Sequence, residues 1–386
     1  MIKKNIPYGR QDISDEDISA VVNSLKSDFL TQGPKINEFE TRFAEYVGSD
    51  YAIAVSNGTA ALHLACLALD LSEGSKVITT PITFVASANC VKYCDADVVF
   101  SDIDPETYLI NIDRIKVLLS ESPRGTYSGI IPVNFAGRVV NLELLRNIAN
   151  EYGLWILEDA CHSPGGFFID SKGEVQSSGS SKYSDLSIFS FHPVKHIACG
   201  EGGMITTNNK ILYEKILSLR THGITRDPLK MIQNDGGWYY EMHDLGFNYR
   251  LTDFQASLGL SQLNRADFGI HRRREIAKKY YKAFENKSYI LSQSGIVEGH
   301  AYHLYIILVE NRDRLYNFLK ARGIYCQVHY IPINTMPYYK QNLVVMSDTS
   351  NANWYYSKCI SLPMFPTLKD DEQEFVIKSI YEFHEK

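Results

Sequence analysis

An α/β fold with a mainly parallel sheet and helices on both faces is predicted by three features: short apolar runs that read as strands, helical stretches alternating with them, and glycine turns where strand passes into helix. The chain has 386 residues, enough for a large domain with a smaller α+β domain beside it. We divide it into 1–255 and 256–386. Hydrophobic residues at 45% and charged residues at 22% fit an ordinary globular protein. A formal charge of −6 disfavours a general nucleic-acid binder, which needs basic surface to release phosphate counterions. The N-terminus MIKKNIPYGRQDIS lacks the apolar core of a signal peptide, and no run is apolar for long enough to span a bilayer. A cytoplasmic protein without membrane contact is expected. Seven cysteines sit mostly in apolar segments, and Cys90 with Cys94 is too weak a pair for zinc, so buried thiols and no metal are expected.

From the N-terminus, ISDEDISAVVNSLK (13–26) places apolar residues at helical spacing behind acidic capping residues and predicts a first helix. Irregular segments on either side carry Tyr8 and Thr31. Residues 51–55 read as a strand and 59–69 as a largely buried helix, with Ser56-Asn57-Gly58 between them. Such a junction presents backbone N–H groups and the positive end of a helix dipole, which suits an anion; a plain N-cap is the alternative. The pattern then repeats: VITT, the helical TFVASANCVKY, VVFSDI, IIPVNFAG, the helical LELLRNIANEYG, and LWILEDA. Ligands of such sheets sit beyond the carboxyl ends of the strands. Phe84 follows VITT, where its ring could lie on a flat ligand or pack in the core. Asp159 closes LWILE, where it could ligate a metal, cap a turn or pair with a protonated ring nitrogen.

SDLSIFSFHPVKHIACGEGGM (184–204) begins as a strand, which Pro193 ends. Lys195 follows, between an aromatic approach and the turn glycines Gly200, Gly202 and Gly203. Desolvation there disfavours an ammonium and leaves an amine able to attack a carbonyl, whereas most lysines are solvated surface residues. Residues 220–250 are rich in aromatic and turn residues and poor in helical periodicity, which marks a functional or interfacial segment. A basic helix over 272–285 has a charge run read as a solvated face. AYHLYIILV alternates as a strand, RDRLYNFLKARG is an amphipathic helix ending at Gly323, IYCQVHYIPI is a further strand, and a last helix spans 371–384.

SFHPVK followed by GEGG, together with PYGRQ, LTQGP, HGITRDP, GFNYRLTD, HYIP and SLPMFP, resembles the DegT/DnrJ/EryC1/StrS family of pyridoxal-phosphate sugar aminotransferases along nearly the whole chain. The resemblance implies the PLP-dependent transferase fold of type I, pyridoxal 5'-phosphate as cofactor, and Lys195 as the catalytic Schiff-base residue. It assigns the cofactor phosphate to Thr59, the amide of Ala60 and Ser190, the ring face to Phe84, and the pyridinium nitrogen to Asp159, which keeps the ring an electron sink. His162 is assigned to the ring or its phenolic oxygen. GFNYR implies that Asn248 reaches the phosphate in a partner's site, hence a homodimer with shared active sites. Tyr8, Thr31, His329 and Tyr330 fall on segments of the substrate entrance. His162 stands where many members carry glutamine, and resembles members acting on pseudaminic-acid precursors. The implied reaction moves an amino group from L-glutamate to the 4-keto carbon of a UDP-4-keto-6-deoxy-N-acetylhexosamine. SNGTAAL and KHIACGEGG depart from the commonest forms of that branch, which keeps other nucleotide 3- or 4-keto sugars as the alternative. A sugar dehydratase is disfavoured, because such members carry histidine at the lysine position. A non-catalytic scaffold is disfavoured because the lysine, the aspartate and the phosphate motif are all present.

Overall fold

In the computed structural model, which describes residues 5–342 and 348–385, seven short apolar runs pair into one sheet. They are β1 (Tyr51–Val55), β2 (Lys76–Thr79), β3 (Asp97–Phe100), β4 (Gly129–Ile131), β5 (Trp155–Asp159), β6 (Leu186–Ser190) and β7 (Gly203–Thr207). Their order across the sheet is β1-β7-β6-β5-β4-β2-β3. The pairs from β6 to β3 are parallel, while β7 runs antiparallel to both β6 and β1. Strand β1 therefore points the same way as β5 and β6, and the three end at one edge. Burial on both faces explains why these strands read as continuous apolar runs rather than alternating ones.

Local signals account for the helices. The Asp15–Leu25 helix is closed by a capping box in which Ser14 Oγ accepts the Asp17 N–H and Asp17 Oδ2 accepts the Ser14 N–H. The helix Pro34–Val47, absent from the sequence reading, starts with proline in its first turn and stops at Gly48 with φ +79°. Gly58–Ala68 is capped by Asn57, whose Oδ1 accepts the Ala60 N–H at 2.8 Å. Helices Lys210–Arg220 and Ser350–Lys358 are likewise absent from the sequence reading, while Ile112–Ser120 is the helical stretch expected before IIPVNFAG. Cys90 and Cys94 are buried free thiols. No helix among the described residues is long and apolar enough to cross a membrane.

The helix Asp253–Leu263 packs against Asp15–Leu25 and Pro34–Val47, so residue 255 lies inside an element of the large sheet's surroundings. After it come the helix Ala266–Phe284 and a small antiparallel sheet of β8 (Ser292–Gln293), β9 (Tyr305–Leu308) and β10 (Cys359–Leu362), with the helices Arg312–Ala321 and Asp370–His384. Strand β9 is buried at every residue, unlike the half-exposed alternation its sequence suggests. Tyr305 and Ile307 enter a core with Ile276, Tyr280 and Val376, whereas Ile306 and Leu308 enter another with Phe135 and Tyr355. Two further expectations change. Of the IYCQVHYIPI stretch, only Ile324–Tyr325 forms a strand, pairing in parallel with Ile6–Pro7. In the basic run, Arg273 is not solvated: it is 2% exposed, and its Nη1 donates to the carbonyls of Tyr302, His303 and Met364 at 3.0–3.3 Å.

Candidate active site

At the edge where β1, β5 and β6 end lies a cleft of about 700 Å³. Lys195 reaches it from the turn after β6, where its N–H donates to the His192 carbonyl at 2.8 Å. The turn is anchored on both sides, since Phe191 N–H donates to Gly202 O and Cys199 N–H to Phe191 O. Burial lowers the Lys195 pKa below that of a free lysine, opposed by Cys161 and by the Asp159 carboxylate, with Arg273 lowering it further. Asp159 sits at the tip of β5, buried, with Oδ2 accepting the Ser87 hydroxyl at 2.7 Å and Oδ1 the Cys161 N–H at 3.1 Å.

The turn after β1 forms the opposite wall. Thr59 and Ala60 open the Gly58–Ala68 helix, whose first-turn amides have no acceptor within the helix. The Ala60 amide is already taken by Asn57 Oδ1, so Gly58 and Thr59 offer the freer donors. Ser190 faces them from the end of β6. The approach is close enough to demand glycine: a Cβ on Gly58 would stand 2.9 Å from Ser190 Cβ, and one on Gly203 would stand 2.6 Å from the Asn57 carbonyl carbon. Phe84 lines the cleft and is 57% exposed, so it is not the core residue that its aromatic type would suggest.

The remaining wall is built from imidazoles and phenols. His162 accepts the Ala136 N–H at Nδ1 (3.3 Å), and its Nε2 lies 3.2 Å from Tyr330 Oη. Its ring is 4.2 Å from that of His303, which in turn lies 5.7 Å from that of His196. His329 pairs through Nδ1 with Ser361 Oγ at 2.9 Å, and the Tyr8 ring lies 5.3 Å from it. Tyr8 is brought there by the N-terminal strand and by its carbonyl, which accepts the Met364 N–H. Burial pushes His162, His196 and His303 well below the usual imidazole range, and His300 and His329 down to about 3. His162, His196, His303 and His329, each close enough to feel Lys195, therefore stand neutral around it.

Ten of the twelve sequence-predicted site residues thus line one cleft: Tyr8, Thr59, Ala60, Phe84, Asp159, His162, Ser190, Lys195, His329 and Tyr330. Thr31 and Asn248 are exposed and are not among the residues lining it. Thr31 bridges to Thr252, and Asn248 bridges to Thr221. Tyr249 lines the cleft, and in extended backbone its neighbour Asn248 points the opposite way. The sequence reading missed Ser87, Cys161, His303 and Tyr249, all of which line the cleft. A lone polar residue within the apolar run AYHLYIILV was the available signal for His303; Ser87 carried none.

Residues 11–381 match the DegT/DnrJ/EryC1/StrS aminotransferase family. The chain belongs to that family. It is a pyridoxal-phosphate-dependent sugar aminotransferase. It is 35% identical to the UDP-4-amino-4,6-dideoxy-N-acetyl-β-L-altrosamine transaminase of Campylobacter jejuni, over 99% of this chain and 98% of that one. It is 36% identical to the spore coat polysaccharide biosynthesis protein SpsC of Bacillus subtilis, over 97% and 96%. Among solved structures, PseC of Helicobacter pylori, an aminotransferase involved in the biosynthesis of pseudoaminic acid, superposes with a TM-score of 0.88 at 29% identity, covering 99% of this chain and all of that one. The PLP form of the putative sugar aminotransferase Spr1654 from Streptococcus pneumoniae matches with a TM-score of 0.87 at 28% identity, covering 99% of each.

The cleft of this aminotransferase suits its cofactor. A phosphate needs donors and a positive helix end, and the glycine-lined cradle between Gly58, Ser190 and Gly203 supplies both. A pyridinium nitrogen needs a carboxylate, and the Asp159 carboxylate held by Ser87 and Cys161 is available.

Proposed function

We propose that the enzyme transfers an amino group from L-glutamate to the 4-keto carbon of a UDP-4-keto-6-deoxy-N-acetylhexosamine, giving a UDP-4-amino-4,6-dideoxy sugar for pseudaminic acid biosynthesis. The observation that carries the reading is the convergence of Lys195, Asp159, Ser190 and the Asn57–Ala60 turn on one edge of the sheet. The names of the Campylobacter jejuni and Helicobacter pylori proteins support the choice of sugar and pathway.

In this reading Lys195 would hold pyridoxal phosphate covalently, Asp159 would pair with its ring nitrogen, Phe84 and His162 would lie against the ring, and Thr59, Ser190 and the free first-turn amides would bind its phosphate, which the Ala60 amide joins only by leaving Asn57 Oδ1. When bound, the cofactor supplies an electron sink that makes a proton alpha to an amine removable. Lys195 takes up and returns that proton, and burial, which lowers its pKa, favours the free amine that this role needs. The neutral histidine wall adds no competing acid beside it. Tyr8, His329 and Tyr330 form the side from which the sugar enters. The small domain begins after the Asp253–Leu263 helix rather than at residue 256.

A homodimer is part of the same proposal. Leu229 is 95% exposed, Ile232 91% and Leu245 81%, on the segment that also carries Asn248. So much apolar surface on one segment marks an interface. Asn248, turned from its own cleft, is then free to reach the phosphate in the partner's, with Thr31 near the same junction. The test is incubation with ¹⁵N-glutamate and the UDP-4-keto sugar, with mass analysis of the nucleotide sugar. A product one mass unit heavier than its ¹⁴N counterpart is expected; an unaminated sugar, or one dehydrated at C3, would exclude this substrate or favour a lyase.

A further inference from the structure

The hydrogen bonds behind the cleft fix a direction. The backbone N–H of Ala136 points at His162 Nδ1, and Ala136 adopts φ +59°, a left-handed conformation uncommon for alanine. Since an amide can only donate, Nδ1 must be the acceptor. The ring is neutral, for burial and, when Lys195 is charged, its ammonium oppose protonation. A neutral imidazole that accepts at Nδ1 carries its hydrogen on Nε2. That nitrogen faces Tyr330 Oη at 3.2 Å, so the phenol oxygen accepts. A hydroxyl has one hydrogen, and that of Tyr330 finds no protein acceptor among the described residues. Tyr330 lines the cleft together with Asp159 and Lys195, and burial keeps it a phenol rather than a phenolate.

Resting on the aminotransferase reading, we propose that the Tyr330 hydroxyl is a directed hydrogen-bond donor to an electron-rich oxygen of the bound ligand, and that His162 is a positioning residue which sets that direction through the Ala136 amide. Two oxygens have the right chemistry: the phenolic oxygen of the cofactor and the keto oxygen of the sugar. The path amide, imidazole, phenol, ligand makes every donor point inward. It also means that the imidazole of His162 need not itself touch the ligand. His303, whose ring lies 4.2 Å from that of His162 at a 36° tilt, packs against it.

The proposal is tested on protein labelled with ¹⁵N at histidine, using Tyr330→Phe, His162→Gln, His162→Leu and the double variant Tyr330→Phe/His162→Leu. In cofactor-free protein the resonances lost in His162→Gln should report the Nε2–H tautomer, unchanged between pH 6 and pH 9 and shifted by Tyr330→Phe. An Nδ1–H tautomer or an imidazolium at pH 7 would overturn the proposal without touching the assigned reaction. Addition of pyridoxal phosphate, and then of the UDP-4-keto sugar to the pyridoxamine form, identifies the acceptor by which addition moves the resonance. Neither moving it would also overturn the proposal. In turnover, Tyr330→Phe is expected to lower kcat/KM about 10- to 100-fold, as loss of a hydrogen bond to a charged or polarised oxygen does. His162→Leu should match it, His162→Gln should recover most of the loss because its amide can still donate to Tyr330, and the double variant should lose no more than either single one. Additive losses would instead mark two independent contacts. Failure of every protein, wild type included, to capture pyridoxal phosphate would overturn the aminotransferase reading, and the tautomer result would stand apart from it.

Discussion

Lys195 combines a chemical need with a physical cost. Burial lowers its pKa from 10.5, so at neutral pH the unfolded chain binds a proton there more readily than the folded one. A base with a lowered folded pKa subtracts stability at every pH below its unfolded value. Lys195→Ala is therefore predicted to cut kcat by at least about 10²- to 10⁴-fold, while the cofactor-free protein melts no lower than wild type. A large drop in melting temperature would mean that the side chain is structural. The lysine was legible because strand, proline and glycine turn are contiguous in sequence. Asp159 was legible as a strand end, though its role came from resemblance. Ser87 and His303 were not, because each acquires meaning from a partner remote in the chain: Asp159 for Ser87 and His162 for His303. Arg273 was misread for a similar reason. Successive helical residues point about 100° apart, so a run of three arginines cannot share one solvated face. The carbonyls that receive Arg273 come from residues 302, 303 and 364.

The element proposed to bind the phosphate is the junction of β1 with the Gly58–Ala68 helix. Its strand and helix could be read from apolar spacing, and the turn from SNGT, but not the packing of Gly58 on Ser190. Asn57→Ala removes the side chain that accepts the Ala60 N–H and should cost about 1 kcal/mol of stability by urea unfolding of the cofactor-free protein. Gly58→Ala places a methyl where 2.9 Å separates it from Ser190 Cβ, and should weaken retention of pyridoxal phosphate in equilibrium dialysis while leaving the helical circular dichroism intact. Wild-type retention would remove this turn from the phosphate site. Strand β9 carries the opposite lesson. Its sequence alternates, yet cores close on both of its faces, and no local pattern can announce a second layer.

For the whole molecule, buried histidines set the acid limit. His300 and His329 titrate at 6.5 in the unfolded chain but near 3 when folded. Between these values the unfolded state holds more protons, so stability falls as pH drops below 6.5 and the loss is complete near 3. The two together give a slope of about 2.7 kcal/mol per pH unit well below 6.5. Urea midpoints measured at pH 7, 6 and 5 should decline with increasing steepness; a flat series would contradict the burial of these rings. The proposed dimer makes its own prediction. Lys195→Ala and Asn248→Ala variants, each impaired alone, should regain about a quarter of wild-type activity when mixed and allowed to exchange subunits, because a mixed dimer rebuilds one intact site. No recovery with demonstrated exchange would confine the site to one chain.

The central claim is that Lys195 holds the cofactor in a site that passes an amino group from an amino acid to a keto sugar. The most direct measurement is the absorbance spectrum of the enzyme with pyridoxal phosphate, recorded before and after glutamate and again after the UDP-4-keto-6-deoxy-N-acetylhexosamine. The visible cofactor band should form in wild type and not in Lys195→Ala, bleach with glutamate, and return with the keto sugar. A band that glutamate leaves untouched, or one that survives in Lys195→Ala, would contradict the account.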